Sequence, residues 1–276
     1  MKKKRSALIV STLPLAFFVF LGLVGPWAIH YNPFSLSVAD RLKPPLSQLS
    51  GGSYALLGTD QLGRQLLPQV VAGARISLLV GFASVATASV VGLFLGVVAG
   101  YTGGTTDNLI MRLVDLQLTF PPLFTAIVIA GFLEPSLVNI IIAITWTRWA
   151  SFTRIIRGLV IDIKEEVFLE SARALGGATA HILRKHVIPF TVSTLLVVST
   201  TVLGEAILAE ASLSFLGLGV PKPAPSWGTI ISEGRDYLAQ AWWISTLPGF
   251  VMLAAVLSAA LFGDALRDHL DPKAQR

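Results

Sequence analysis

The chain contains no cysteine, so it can form no disulfide, no thiolate metal site and no cysteine nucleophile. Charge is scarce as well. Only 13% of the 276 residues are charged, about half the roughly 25% of an ordinary soluble domain. That leaves too little polar surface to cover a body of this size in water. It excludes a disordered chain, an ordinary cytosolic enzyme and a nucleic-acid-binding module. Methionine is scarce, and His30, His181, His186 and His269 all fall outside the apolar runs, so no dedicated metal-ligand set lines a membrane path. A G-x4-G-K-[ST] phosphate loop is missing throughout, and the chain is not expected to hydrolyse ATP itself.

What is there instead is long hydrophobic runs. A bilayer core of about 30 Å needs about 20 apolar residues in a helix, and lipid leaves no other partner for the backbone polar groups. Six stretches meet that length: residues 8–29, 76–101, 113–133, 137–156, 190–211 and 244–263. The expected fold is therefore all-α and integral to the membrane, with six transmembrane helices. Residues 1–75 read as an anchor helix and outer loop, and residues 76–276 as a five-helix core with a polar loop at 162–189. The opening MKKKR and its apolar run could also be a secretory signal. The run is longer than a signal core and no A-x-A site follows, which favours a retained first span.

Positive charge sets orientation. With the N-terminus inside, 14 Lys and Arg fall on inner segments and 6 on outer ones, Arg148 lying within the fourth span. Both termini are then expected in the cytoplasm. Trp27, Tyr31, Trp242 and Trp243 fall at the outer interface and Tyr101 at the inner one.

The loop at 162–189 reads DIKEEVFLESARALGGATAHILRKHVIP. Residues 162–175 are good helix formers with acidic residues in the first turn. Gly176 and Gly177 should stop that helix, Thr179 should cap a second, and Pro189 should close it. Ile163, Val167, Ser171 and Ala174 share a narrow face that Phe168, Ala172 and Leu175 extend, a surface suited to a groove on a partner.

Glu170-Ser171-Ala172, Gly176 and His186-Val187-Ile188-Pro189 resemble the EAA loop of ABC-importer permeases, E-A-A-x3-G-x9-I-x-L-P. Ser171, His186 and Ile188 depart from it. LLGTDQLGR, GARISLLVG, AGYTGG, MRLVDLQLTFPP, ESARALGG, EASLSFLGLG, PSWG and GDALRDHLDP follow in the order of the dipeptide/oligopeptide/nickel ABC-importer permease family, C-type subunit, over about residues 55–272. Gln65 stands where that family usually has Asp, and Pro68-Gln69 replace a usual Ser-Arg. The resemblance implies a type I ABC-importer permease that pairs with a homologous second permease. It implies two cytoplasmic ATP-binding cassette ATPases, which would carry the ATP and Mg, so this chain would bind no cofactor of its own. It also implies an extracytoplasmic solute-binding protein and a location in the inner or plasma membrane of a bacterial or archaeal cell. Glu170, Ser171, Ala172, Ala174, Leu175, Gly176, Gly177 and Pro189 would form the ATPase-coupling loop. Di- and oligopeptides are the implied cargo. Nickel chelates, opines or another small solute are the alternatives, and an ion-gradient secondary transporter is a different class.

Ionisable residues at membrane depth face protein or water. Arg148 either lines a pathway or pairs with a carboxylate of the second permease. Asp115, three residues after Arg112, is placed to pair with it on one helix face. Pro121 and Pro122 should kink the third span. Glu205 and Glu210 lie in the outer half of the fifth span, where either could meet a peptide's amino terminus or tie the span to the SFLGLG segment. No residue reads as catalytic or metal-binding. Asp264, Arg267, Asp268 and Asp271 read as a solvated helix end.

Overall fold

The computed structural model describes residues 2–270, with side chains from Leu8 onward apart from that of Arg173. The side chains of residues 2–5 and the whole of Asp271, Lys273 and Arg276 lie outside the described residues. Ten α-helices are described: α1 (Lys2–Ala28), α2 (Leu66–Thr102), α3 (Gly104–Thr119), α4 (Pro122–Phe132), α5 (Leu137–Lys164), α6 (Val167–Ala174), α7 (Thr179–Ile182), α8 (Ile188–Phe215), α9 (Trp227–Gly234) and α10 (Trp243–Leu270). A small antiparallel hairpin, β1 (Ser47–Gln48) with β2 (Tyr54–Ala55), sits in the loop between α1 and α2.

By length and apolarity four helical runs can cross a bilayer, Leu8–Ala28, Leu66–Thr102, Thr179–Phe215 and Trp243–Leu270, and the bent pair α3–α4 makes a fifth if taken as one span. This is fewer than the six spans expected, for two reasons. The expected third span is broken: α3 and α4 meet at 90°. A residue before proline is pushed out of the α region. Phe120 (φ −90°, ψ 136°) precedes Pro121, and Pro121 (φ −58°, ψ 129°) precedes Pro122. The helix stops at Thr119 and restarts with Pro122 in its first turn, where a missing N–H costs nothing. The expected fourth span forms as the 28-residue α5, but Arg148, Arg154, Arg157, Asp162 and Lys164 keep it from counting as apolar.

Helix α2 begins at Leu66 rather than near residue 76. Its 37 residues extend about 55 Å, well past a bilayer core of about 30 Å. It packs most extensively on α5, and also contacts α1, α8 and α3. The α2–α5 seam is built on glycine. A Cβ at Gly92 would lie 2.3 Å from Phe152 Cβ, one at Gly96 2.7 Å from Ile156 Cβ, and one at Gly100 2.8 Å from Val160 Cβ. Four-residue spacing on both helices puts small residues opposite large ones and lets the backbones close. Helix α10 joins α1, α8 and α9 on the other side of the bundle.

The α7–α8 region differs from expectation. Thr179 is the first residue of α7 and not its cap; Ala178 holds that position without a side-chain bond. Pro189 does not close a helix either. From Thr179 the chain runs on through a π-turn, Leu183–Val187, into α8, with Pro189 in the first turn of α8 and the Ile188 N–H donating to Leu183 O. Widening the turn ahead of the proline moves carbonyls away from its ring and lets the helix pass.

Candidate coupling elbow and intramembrane ion pairs

At one end of the bundle the chain leaves α5 after Lys164 and turns through Glu165 and Glu166 into α6. The helix expected over 162–175 is thus two: its first residues complete α5, and the rest form α6. Helix α6 ends in a glycine cap. Gly176 takes φ +80° and the Gly177 N–H donates to Ala172 O at 3.0 Å, the reverse turn that only glycine adopts without strain. Gly177 has no room for a side chain, since a Cβ there would meet Ala172 O at 2.7 Å.

Leu169, Ile182 and Val187 are fully buried and anchor this elbow, and the ring of Phe168 lies 5.8 Å from that of His186. Ile163, expected on the docking face, is 2% exposed and belongs to the core. The outward surface is instead Val167, Phe168 and Leu175, at 73%, 49% and 88% exposure. Glu170, Ser171, Ala174, Gly176, Gly177 and Pro189 are exposed beside them, and Ala172 is half-buried. The Ser171 hydroxyl donates to Val167 O within its own helix.

Two contacts that the sequence reading missed tie the end of α5 to its neighbours. Arg157 donates from Nε and Nη2 to both oxygens of Asp107 on α3, at 2.5 and 2.6 Å. Lys164 Nζ donates to Tyr101 O at 2.9 Å and lies 5.8 Å from the Tyr101 ring centre. The available signal was the row of cations on an otherwise apolar span, which calls for partners.

Within the bundle, Arg148 of α5 pairs with Glu205 of α8. This partner lies in the same chain. The expected Arg112–Asp115 pair does not form. Asp115 pairs across to Arg154 of α5, and Arg112 is exposed. Glu210 is fully buried and tied down, accepting from Ser77 Oγ at 2.7 Å and Ser214 Oγ at 2.6 Å. The Ser77 hydroxyl in turn accepts the Trp227 N–H at 3.2 Å. Glu210 thus joins α8 to α2, α9 and the SFLGLG segment. Arg148 and Glu205 face a cleft of about 280 Å³ whose other walls include Pro122, Ala126, Leu208 and Ser212.

The opposite end is capped by the 29–65 loop. Asp40 accepts from Lys43, Ser37 and both the N–H and hydroxyl of Ser50, and these bonds hold its carboxyl far below the usual range. Asp60 is buried and binds the N–H groups of Leu62 and Arg64, the Arg64 guanidinium at 2.6 Å and Gln69 Nε2 at 2.8 Å. Arg64 continues to Glu233, which also binds Lys222 at 2.6 Å. Burial works against the Arg64 charge, but Asp60 and Glu233 outweigh it and hold the guanidinium above its ordinary value. Trp243, expected at a lipid interface, is buried, its indole N–H donating to Thr59 O at 3.1 Å. Asp264, Arg267 and Asp268 are exposed at the end of α10, as expected.

Four or five helical runs long and apolar enough to cross a bilayer, with charges paired between helices, are the architecture of a multi-pass membrane protein. The chain belongs to the family of binding-protein-dependent transport system inner membrane components, whose profile matches residues 92–276. It is 41% identical over 256 residues to the di/tripeptide transport system permease protein DppC of Pseudomonas aeruginosa, covering 92% of this chain and 84% of that one. It is 37% identical to the dipeptide permease protein DppC of Haemophilus influenzae, covering 99% and 92%. Against the oligopeptide permease protein OppC of Bacillus subtilis it is 33% identical, covering 97% and 86%. Its fold matches a solved chain of the inward-facing MetNI methionine ABC transporter with a TM-score of 0.60 at 18% identity, over 74% of this chain and 96% of that one.

Proposed function

We propose that this chain is one of two permease subunits of an ATP-driven importer of di- and oligopeptides, and that the α5–α8 elbow is where a cytoplasmic ATPase grips it. The observation that carries the reading is the elbow. Large apolar side chains stand in the open at Val167 and Phe168, on a short helix whose other face is locked to the bundle, and at Leu175 just past its end. An apolar face left uncovered on a rigid support is what a partner groove takes. Glu170, Ser171, Ala172, Ala174 and the Gly176-Gly177 turn complete it, and the π-turn before Pro189 joins it to α8 as one lever. The peptide-permease names of the relatives, matched over nearly their whole length, support the cargo.

In this reading the chain crosses the membrane six times, through α1, α2, the bent α3–α4 pair, α5, α8 and α10. Arg148, Arg154 and Arg157 on α5 are neutralised by Glu205, Asp115 and Asp107. Both termini and the elbow lie in the cytoplasm, and the 29–65 cap faces a solute-binding protein outside. Residues 1–75 anchor and cap a core formed by residues 76–276. ATP and Mg belong to the paired ATPases, whose closure would push the elbow and rock the bundle between access states.

The absence of cysteine makes the test direct. A single L175C substitution is expected to cross-link to the ATPase subunit in membranes. Labelling of that thiol in intact cells by a membrane-impermeant maleimide would overturn the reading.

A further inference from the structure

Four carboxylates on α3 and α8 are held by other side chains, and three of them are explained by structure alone. Glu210 has a hydroxyl on each oxygen and no exposure. Asp107 takes both arms of Arg157. Asp115 and Arg154 are both at least half exposed. The Arg148–Glu205 pair is different. It joins α5 to α8 in mid-span through one arm of the guanidinium, Nη1 to Oε2. The Arg148 Nε is buried with no acceptor. The Glu205 side chain is 49% exposed, and both charges face a cleft that is otherwise mostly apolar.

Opening this pair would leave the largely buried Arg148 charge among mostly apolar walls without a counter-charge. The pair can be opened by a molecule that carries both charges. An ammonium would replace Arg148 at Glu205, and a carboxylate would replace Glu205 at the Nη donors of Arg148. We infer that Arg148 and Glu205 form a charge-exchange site in the translocation path, where Glu205 takes the amino terminus and Arg148 the carboxylate of a passing peptide. The inference rests on the peptide reading above and names the residues that would recognise the cargo. The cleft supplies apolar walls at Pro122, Ala126 and Leu208 that accept varied side chains, while the two charges select the main-chain ends common to every short peptide.

The test uses the whole transporter in proteoliposomes, with tritiated dialanine as the probe and N-acetyl-dialanine as its uncharged-terminus counterpart. Comparing each variant with wild type for both probes cancels the binding protein's own preference. For E205Q, dialanine uptake is expected to fall about tenfold, the loss of one charge-assisted contact, while N-acetyl-dialanine uptake stays within about twofold. Equal loss of both probes, or no loss, overturns the site. A second variant, R148E/E205R, preserves an ion pair between the same helices. It is expected to co-purify with its partners and to lose dialanine uptake about tenfold; wild-type uptake would reduce the pair to a structural tie. A wild-type transporter that imports no peptide would sink the cargo reading instead.

Discussion

Glu210 receives a hydroxyl on each carboxylate oxygen, from Ser77 on α2 and Ser214 on its own helix, and has no solvent contact. Removing one donor leaves a buried acceptor unmet. Ser77→Ala should destabilise the detergent-purified chain by about 1–3 kcal/mol, seen as a lower thermal midpoint. The reach of Glu210 toward SFLGLG was legible because Ser214 is one turn away. The donor from Ser77 was not, because 133 residues separate them. Asp115 teaches the same lesson: its neighbour Arg112 was the local choice, and Arg154, 39 residues on, is the partner. In the 29–65 cap the Asp40 carboxyl is held below its free value of 3.8. Its folded pKa is depressed, so its contribution is fully present above the free value and is lost as pH falls toward the folded one. Amide exchange at Ser50, which donates to Asp40 Oδ1 at 2.8 Å, should stay protected from neutral pH down to about pH 4 and open only in stronger acid. Asp40→Ala, which removes the acceptor altogether, should expose that amide at every pH.

Helices α2 and α5 meet through Gly92, Gly96 and Gly100 against Phe152, Ile156 and Val160. Nothing local demands glycine at these helical positions; the facing backbone does. Gly96→Leu should therefore cost about 1–3 kcal/mol or prevent folding, whereas Gly158→Leu on α5, which has open space around it, should change stability by about 0.5 kcal/mol or less. Thermal midpoints of the two purified variants, compared side by side, check both. The glycine spacing was visible in the sequence and could have pointed to a close seam, but not to which helix lies across it. The α3–α4 corner is the converse. Two consecutive prolines act on their own preceding residues, so a kink was readable in advance, though the full break and its 90° angle were not.

For the assembled transporter, the elbow matters as a rigid part. Gly176 sits at φ +80°, and a Cβ placed on it would meet nothing within 4 Å, so a side chain there would fail for backbone reasons alone. Gly176→Val is expected to leave the chain inserted and co-purifying with its partners. Peptide-loaded binding protein should no longer stimulate the ATPase, and uptake should fall about tenfold, as losing about 1.4 kcal/mol of coupling implies. Unchanged stimulation in that variant would separate the elbow from the motor. The 29–65 cap is tied down at the other end of the bundle. Asp60, Arg64 and Glu233 chain the 29–65 loop to α9, and Trp243 fastens it to α10.

Composition and local backbone chemistry, read along the chain, were enough for the membrane class, the glycine turn after α6 and a proline kink before α4, while the ordered motifs carried the family resemblance. Each depends on neighbours within a few residues, or on an average over twenty. The tertiary structure alone decided that Arg148 meets Glu205, that Arg157 meets Asp107, that Ile163 is core while Leu175 is bare, and that Pro189 rides inside a helix behind a π-turn. Those outcomes depend on how each helix is rotated and how deep it sits against the next, and that is set by packing between segments far apart in sequence.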